Sequence, residues 1–545
     1  MHAVIAGRRL LIAAGLTLAS GFVHAAPPAP PTPGAIGETL KQPPALQPPP
    51  PAPQIGAPER QAPTAPARGA TLTVSHFVFS GNTLYSQDEL AGLIADYLNK
   101  PITLAQVYEA ADKVSDFYVR HGYSLASVTV PAQKVKDGTI RLEVIEGRVG
   151  KIGFEGNSRY HDGLLRGFVS HTHPDQVYQS APLEKDLQTL NSLPGLAARA
   201  VIQPGTDYGT SDVMVKVQED PIDGYAVLDN YGRKDSGQYR VSASVTVNNP
   251  FEVADQLQVL GTHADANLLN YGYVDYNVPI GYGGLRFDAN YGHAYFKTPA
   301  FLTSGKNNNL QLSLMQPFWR TPVDQLTASA GLIHTDANAL LSGVPIPGTS
   351  ANVNLLNLGA TYSHIWSNSA VTQYIGSLHT NFNQSDAGDL NRRERLRLEI
   401  NAQHLQPLPW WKLQALAQVD GVYSPDPLVD TEQFSIGGPT SIRGFPASEA
   451  RGDRGFFGQF TLRRPFAAGP VSLVPRIYAD SGRVKTLGFA PTPDTSNSLT
   501  SAGLGSDVIY RTLDLKVDWA YPLDSRPVSD GRDHGRVYAA LTAGF

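Results

Sequence analysis

The sequence predicts two tandem α+β modules followed by an all-β, 16-stranded antiparallel transmembrane barrel. Three observations lead there. From Pro221 to the C-terminus, apolar and polar residues alternate with a period of two. Those runs are about 9 to 12 residues long, the length of a tilted bilayer crossing, and carry aromatics near their ends. Ahead of them, a strand–helix–helix–strand–strand pattern occurs twice.

Composition narrows the function classes. The chain has 545 residues, 17% charged, with a net charge of −5 and no cysteine. No global basic signature exists for sequence-independent nucleic-acid binding. Disulfide frameworks, thiolate metal sites and cysteine nucleophiles are excluded outright. No Gly-x-Ser-x-Gly, His-Glu-x-x-His or phosphate-loop pattern occurs, so neither an enzyme nor a cofactor is expected.

At the N-terminus, Arg8 and Arg9 precede an apolar run from Leu10 to Leu18 and a Val23-His24-Ala25 cleavage pattern. This reads as a secretory signal over residues 1–25, too short to span a bilayer as a helix. Residues 26–70 read as a linker. Fifteen prolines fall within residues 27–67, a composition that favours an extended spacer over a folded core. Only Ala35 to Gln42 can form a turn or two of helix.

The first module is expected over 71–146. Leu72, Val74, Phe77 and Phe79 suggest a strand ending at Ser80-Gly81-Asn82. Ser86 with Glu89, and Thr103 with Gln106, have capping-box spacing, and Leu104, Val107, Ala111, Val114 and Tyr118 share a helical face. Leu125–Val130 and Gly138–Ile145 read as a hairpin. The second module, 147–220, repeats this order. Phe154-Glu155-Gly156-Asn157-Ser158 echoes Phe79-Ser80-Gly81-Asn82-Thr83, Leu183, Leu187 and Leu190 mark a helix, and 197–203 with 212–218 form a hairpin. Exposed sheet edges are expected around Val128 and Val215. His171 and His173 lack further ligands for a metal.

Residues 221–545 form the barrel. In 395–403, Arg395, Arg397, Glu399, Asn401 and Gln403 alternate with Leu396, Leu398, Ile400 and Ala402. Charges therefore face a wet lumen, where losing Arg397 is expected to be mild. Short turns such as 249–251 and 407–409 alternate with longer polar loops such as 298–308. Tyr276, Tyr291, Tyr362, Trp411, Trp519 and Tyr521 are expected to form interfacial girdles. Phe545 closes the chain as an aromatic signal that barrel-assembly machinery reads.

Between strands 11 and 12 lies Gly437-Gly438-Pro439-Thr440-Ser441-Ile442-Arg443-Gly444-Phe445, and downstream Tyr478-Ala479-Asp480-Ser481-Gly482. With the two modules and the barrel, these motifs resemble the outer-membrane transporters of two-partner secretion, the haemolysin-activator and filamentous-haemagglutinin-transporter family. The resemblance covers 71–545 and implies that the modules are polypeptide-transport-associated (POTRA) domains in the periplasm. It further implies that Ile442, Arg443, Gly444 and Phe445 form an inward loop tip, hinged at Gly437 and Gly438. Arg443 would pair with Asp480 in an Asp-x-Gly motif completed by Gly482 at the end of a barrel strand. Ile442 replaces the family's usual valine. The implied partners are a large secreted exoprotein, exported unfolded, and outer-membrane lipid; no nucleic acid is involved. The Pro-rich segment cannot supply the long plug helix of many relatives, leaving no plug or only a short piece, Gly34 to Gln42. An assembly insertase of the same superfamily would normally carry more POTRA units, and a passive porin would not need the paired motifs. Arg451-Gly452-Asp453 reads as solvated loop chemistry.

Overall fold

The computed structural model describes residues 32–40, 45–46, 52–56, 71–346, 349–385, 396–488, 493–523, 529–531 and 534–545. The expected signal peptide, Lys41 and Gln42, and most of the Pro-rich stretch lie outside them. The described chain begins with helix α1 (Pro33–Leu40) and a two-residue strand, β1 (Ile55–Gly56).

The first folded unit runs β2 (His76–Ser80), α2 (Gln87–Leu93), α3 (Leu104–Arg120), β3 (Ser127–Thr129) and β4 (Thr139–Ile145). Both helices start where side chains satisfy their free N–H groups. Ser86 Oγ accepts from the Glu89 N–H at 3.3 Å while Glu89 accepts from the Ser86 N–H at 2.8 Å, and Thr103 with Gln106 repeats the box. Helix α3 buries Val107, Ala111, Val114 and Tyr118 against Phe77, Phe79, Ile140 and Leu142. Leu104, expected on that face, stays exposed because it occupies the first helical turn, beyond the sheet. Strand β4 is central, parallel to β2 and antiparallel to β3, so Val128 does lie on an edge.

The second unit has the same topology: β5 (Arg148–Glu155), α4 (Asp162–Phe168), α5 (Ser180–Leu190), β6 (Leu196–Pro204) and β7 (Thr210–Glu219). Here β7 is flanked by β5 and β6, which makes Val215 a buried central residue instead of an edge. The two edges of this sheet are β5 and β6, and β1 pairs with β6 in parallel. Val213, Val215 and Val217 share one face of β7, turned to the unit's core.

One feature of the duplication escaped the sequence reading. Each unit ends in a glutamate that turns back to its own first strand–helix turn. Glu146 accepts from the N–H groups of Thr83 at 2.6 Å and Leu84 at 2.8 Å, and from the Tyr118 hydroxyl at 3.2 Å. Glu219 accepts from the N–H groups of Ser158, Arg159 and Tyr160 at 2.9, 2.9 and 3.0 Å. Burial alone would raise the Glu219 pKa, but these N–H donors outweigh it and hold the carboxyl below its usual range. The Tyr118 phenol is pushed up, by burial first and then by Glu146. The second unit also docks on the barrel rim. Arg159 Nη2 donates to the Asn249 carbonyl at 2.9 Å, Ala254 joins the unit's core, and the rings of Phe168 and Tyr282 meet edge-to-face at 5.0 Å.

The barrel strands are β8 (Ile222–Asp229), β9 (Arg240–Asn248), β10 (Gln256–Ala264), β11 (Leu269–Pro279), β12 (Arg286–Thr298), β13 (Thr303–Arg320), β14 (Asp324–Leu341) and β15 (Ala351–Ile365). They continue as β16 (Val371–Ser385), β17 (Arg397–Leu408), β18 (Leu413–Tyr423), β19 (Arg454–Arg463), β20 (Val471–Thr486), β21 (Thr495–Tyr510), β22 (Leu513–Pro522) and β23 (Arg536–Gly544). These sixteen strands close antiparallel, with Tyr225 opposite Gly544 and Asp229 opposite Ala540 at the seam. Closure leaves no backbone edge for lipid to strand. Several strands exceed the expected length. The polar run Lys306–Asn308, read as part of a loop over 298–308, belongs to β13, where Lys306 and Asn308 both reach Asp336 at 3.2 Å. Similarly, Pro407 and Leu408 end β17, and the turn lies at Trp410–Lys412. Tyr291 sits mid-strand and belongs to no girdle.

The parity assignment has a direct test. Ile400 is 49% exposed on the outer wall, whereas Asn401 beside it is 4% exposed and hydrogen-bonded to Asp420. Ile400→Arg should therefore cost roughly 2 to 4 kcal/mol near the midplane. The measure is the folded, heat-modifiable fraction in outer membranes, and an unchanged fraction would refute the orientation of this wall.

Candidate functional site: an inward loop and a lumen helix

The segment from Ser424 to Asp453 turns into the barrel instead of standing above it. Its arms, Phe434–Ile436 and Ala450–Gly452, pair as a short antiparallel ladder. At the tip the arms converge so closely that a Cβ on Gly437 would stand 2.6 Å from the Pro446 carbonyl oxygen. Gly437 and Gly438 also have φ of 109° and 101°, which side-chain-bearing residues avoid. Ser441 Oγ accepts from the Gly437 N–H at 2.9 Å, and Gly438 N–H reaches the Ile442 carbonyl at 3.1 Å, fastening the turn.

The tip has its own small core. Ile442 and Phe445 are fully buried with Ile436, Phe457, Val484 and Leu499 of the loop arm and lumen wall. Isoleucine in place of valine is absorbed there without exposure. Gly482 lies opposite Phe457 across the β19–β20 ladder, where a Cβ would come within 2.7 Å of the Phe457 Cβ. A glycine at this point makes room for the Phe457 ring, which stacks on Phe434 at 6.0 Å.

Between those apolar contacts sits one ion pair. Arg443 Nε donates to Asp480 Oδ2 at 2.8 Å and Nη2 to Oδ1 at 2.6 Å, while the Arg443 backbone N–H reaches Oδ2 at 3.1 Å. The guanidinium carbon also lies 3.3 Å from the Tyr478 ring centroid. Both partners are buried. Asp480 stands within β20, not at its end, six residues short of Thr486. Tyr538 supplies a contact that sequence reasoning missed: its hydroxyl accepts from the Gly444 N–H at 3.1 Å and donates to the Phe445 carbonyl at 2.5 Å. The period-two pattern could have found it, since Tyr538 lies between outward Val537 and Ala539. Below the tip, Arg476 Nε donates to Asp518 at 2.8 Å and its Nη1 to Asp507 at 2.6 Å.

Helix α1, which covers the described part of the expected Gly34–Gln42 piece, lies in the same lumen. The Gly34 N–H donates to Asp430 Oδ2 at 2.7 Å, and Ser448 Oγ to the Ala35 carbonyl at 3.1 Å. Arg240 donates to the Thr39 carbonyl at 2.8 Å from the wall. Ile36 is fully buried among Ala264, Leu269, Phe296 and Ala339. Helix and loop thus hold each other.

Several expectations change at this point. Arg451-Gly452-Asp453 is structural: Arg451 bridges Asp430 and Thr32, and the buried Asp453 accepts from the Leu428 N–H at 2.8 Å. Arg397 faces Glu432 of the loop at 3.4 Å, a contact with the loop in addition to its place on the lumen wall. His171 Nδ1 lies 2.9 Å from Asp186, and no cluster of three metal-ligating groups occurs among the described residues. Phe545 extends the seam through reciprocal backbone bonds with Gly224 at 3.0 and 3.1 Å, its ring exposed. The lumen thus holds two segments of the protein's own chain, the inward loop and helix α1, pinned to each other and to the wall.

Comparison with known proteins gives a consistent result. The family described as haemolysin secretion/activation protein ShlB/FhaC/HecB matches residues 209–508, and the ShlB-type POTRA domain matches 72–147. The outer membrane transporter CdiB of Dickeya dadantii is 24% identical, with 84% of each chain aligned. The hemolysin transporter protein ShlB of Serratia marcescens is 26% identical over 84% of this chain and 83% of its own. Among solved structures, CdiB from Escherichia coli superposes with a TM-score of 0.66 at 22% identity, covering 90% of this chain and 92% of its own. BamA from Haemophilus ducreyi lacking POTRA domains 1–3 gives 0.56 at 15% identity, covering 87% and 100%.

Proposed function

Because the chain belongs to the haemolysin secretion/activation family ShlB/FhaC/HecB, we infer that it is the outer-membrane transporter of a two-partner secretion system. It exports a large partner exoprotein, unfolded, from the periplasm to the cell surface, and its POTRA units face the periplasm. The signal peptide is 1–25, the linker 26–70, the POTRA units 71–146 and 147–220, and the barrel 221–545. The observation that carries the reading is the barrel lumen with two segments inside it: the loop tip held at Arg443 and Asp480, and helix α1 bonded to the same loop.

In this reading the resting pore is shut by its own chain. The POTRA units capture an extended segment of the cargo, strand against strand. The helix and loop then yield, and the polar inner wall solvates the passing polypeptide. Gly437 and Gly438 serve as the hinge of the loop, and Asp480 with Gly482 as its seat. Directionality comes from folding of the exoprotein outside, since nothing in the step needs nucleotide or covalent chemistry. Lipid solvates the outer wall, and the barrel-assembly machinery reads the Phe545 end.

Deleting this gene in its host should remove the partner exoprotein from the culture medium, and a plasmid copy should restore it. Undiminished export in the deletion strain would refute the reading.

A further inference from the structure

The outer edge of β6 is already occupied. Ile55 and Gly56 of β1 run parallel to it, in register with Ala200 and Val201, and the Ala200 N–H donates to the Gln54 carbonyl at 3.1 Å. The Ile55 side chain packs against the second unit's core. In the first unit the equivalent edge, β3, spans three residues; β6 spans nine, of which β1 pairs with two.

The occupying segment is built to hold weakly. Pro53 and Pro58 bracket it, and proline has no N–H to donate to a ladder. Being tethered, it needs little intrinsic affinity to stay in place, because its local concentration is high. A proline-free extended segment could pair along more of the nine-residue edge and would outcompete it. The same linker carries α1: thirteen residues, 41–53, separate Leu40 in the lumen from Gln54 on β6. At about 3.3 Å per residue they reach roughly 46 Å. Strand β1 therefore fixes one end of a tether whose other end fills the pore.

We propose that Gln54–Gly56 is an internal competitor for the cargo-docking edge of the second POTRA unit, and that export begins when an extended segment of the exoprotein, with an aliphatic residue at the place of Ile55, replaces it. This rests on the transport function. Replacement frees the linker on which α1 hangs, so capture at the periplasmic face is linked to unplugging of the lumen.

The chain has no cysteine, so an Ile55→Cys, Ala200→Cys pair would supply its only thiols. Paired strands stand about 4.8 Å apart, within the range a disulfide bridges. With the partner exoprotein followed in the medium, the oxidised pair should export at least tenfold less than wild type, and dithiothreitol should restore export. Ile55→Asp, which removes the competitor's apolar anchor, should export at least twofold more than wild type when cargo expression is limiting. Equal export by the oxidised and reduced pair, or reduced export by Ile55→Asp, would overturn the proposal. Absence of export from wild type and the reduced pair alike would count instead against the transport function.

Discussion

Arg443→Ala should reduce export of the partner exoprotein at least tenfold while the barrel still inserts and keeps its heat-modifiability. The pair it breaks is buried, with Asp480 fully enclosed, so truncation leaves a carboxylate with no countercharge. Breaking one partner of such a pair costs on the order of 3 to 5 kcal/mol. The loop can escape that cost by withdrawing, because Asp480 is then rehydrated from the lumen. The sixteen-strand ladder does not run through Arg443, so the penalty falls on the loop's position and not on assembly. Asp480→Arg should behave alike, and the double exchange should recover part of the activity. Arg443→Lys should fall between, since lysine keeps the charge but loses the two-pronged contact. Wild-type export by correctly inserted Arg443→Ala would end the role proposed for this loop.

Deleting 71–219 should abolish export altogether while leaving a barrel that inserts and conducts ions in planar bilayers. The deletion removes both POTRA sheets, including the β6 edge, but touches none of the strands β8 to β23. What the barrel loses is a lid of contacts on its first two periplasmic turns, chiefly those of Arg159 with Asn249 and of Phe168 with Tyr282. These lie outside the bilayer and contribute nothing to closure. Export by the truncated protein at the wild-type level would show that the receptor lies elsewhere.

Much of this was legible because the local rules agreed with one another. The capping boxes at Ser86 and Thr103, the Gly-Asn echo and the alternation around Leu398 each report short-range physics, and the fold obeys them. The Arg443–Asp480 pair was reached through family resemblance, with parity supplying the inward direction of Asp480. What the sequence hid depends on distant partners. Whether Val215 or Ala200 faces an open edge depends on strand order, which periodicity does not encode. The polar stretch at Lys306–Asn308 looks like loop because it carries no apolar residue. Asp430 acts on Gly34, 396 positions away, and nothing in its own neighbourhood marks it.

The paired glutamates, Glu146 and Glu219, bear on how such a protein is put together over time. Each POTRA unit carries near its own end the carboxylate that accepts from the N–H groups of its first strand–helix turn, so those N–H groups are satisfied within the unit. A segment cut after the glutamate is therefore a complete inheritance: copied, it yields another unit that can close by itself, and exchanged between transporters, it brings its fastening along. Recombination a few residues earlier would hand one descendant an open turn and the other a stray carboxylate.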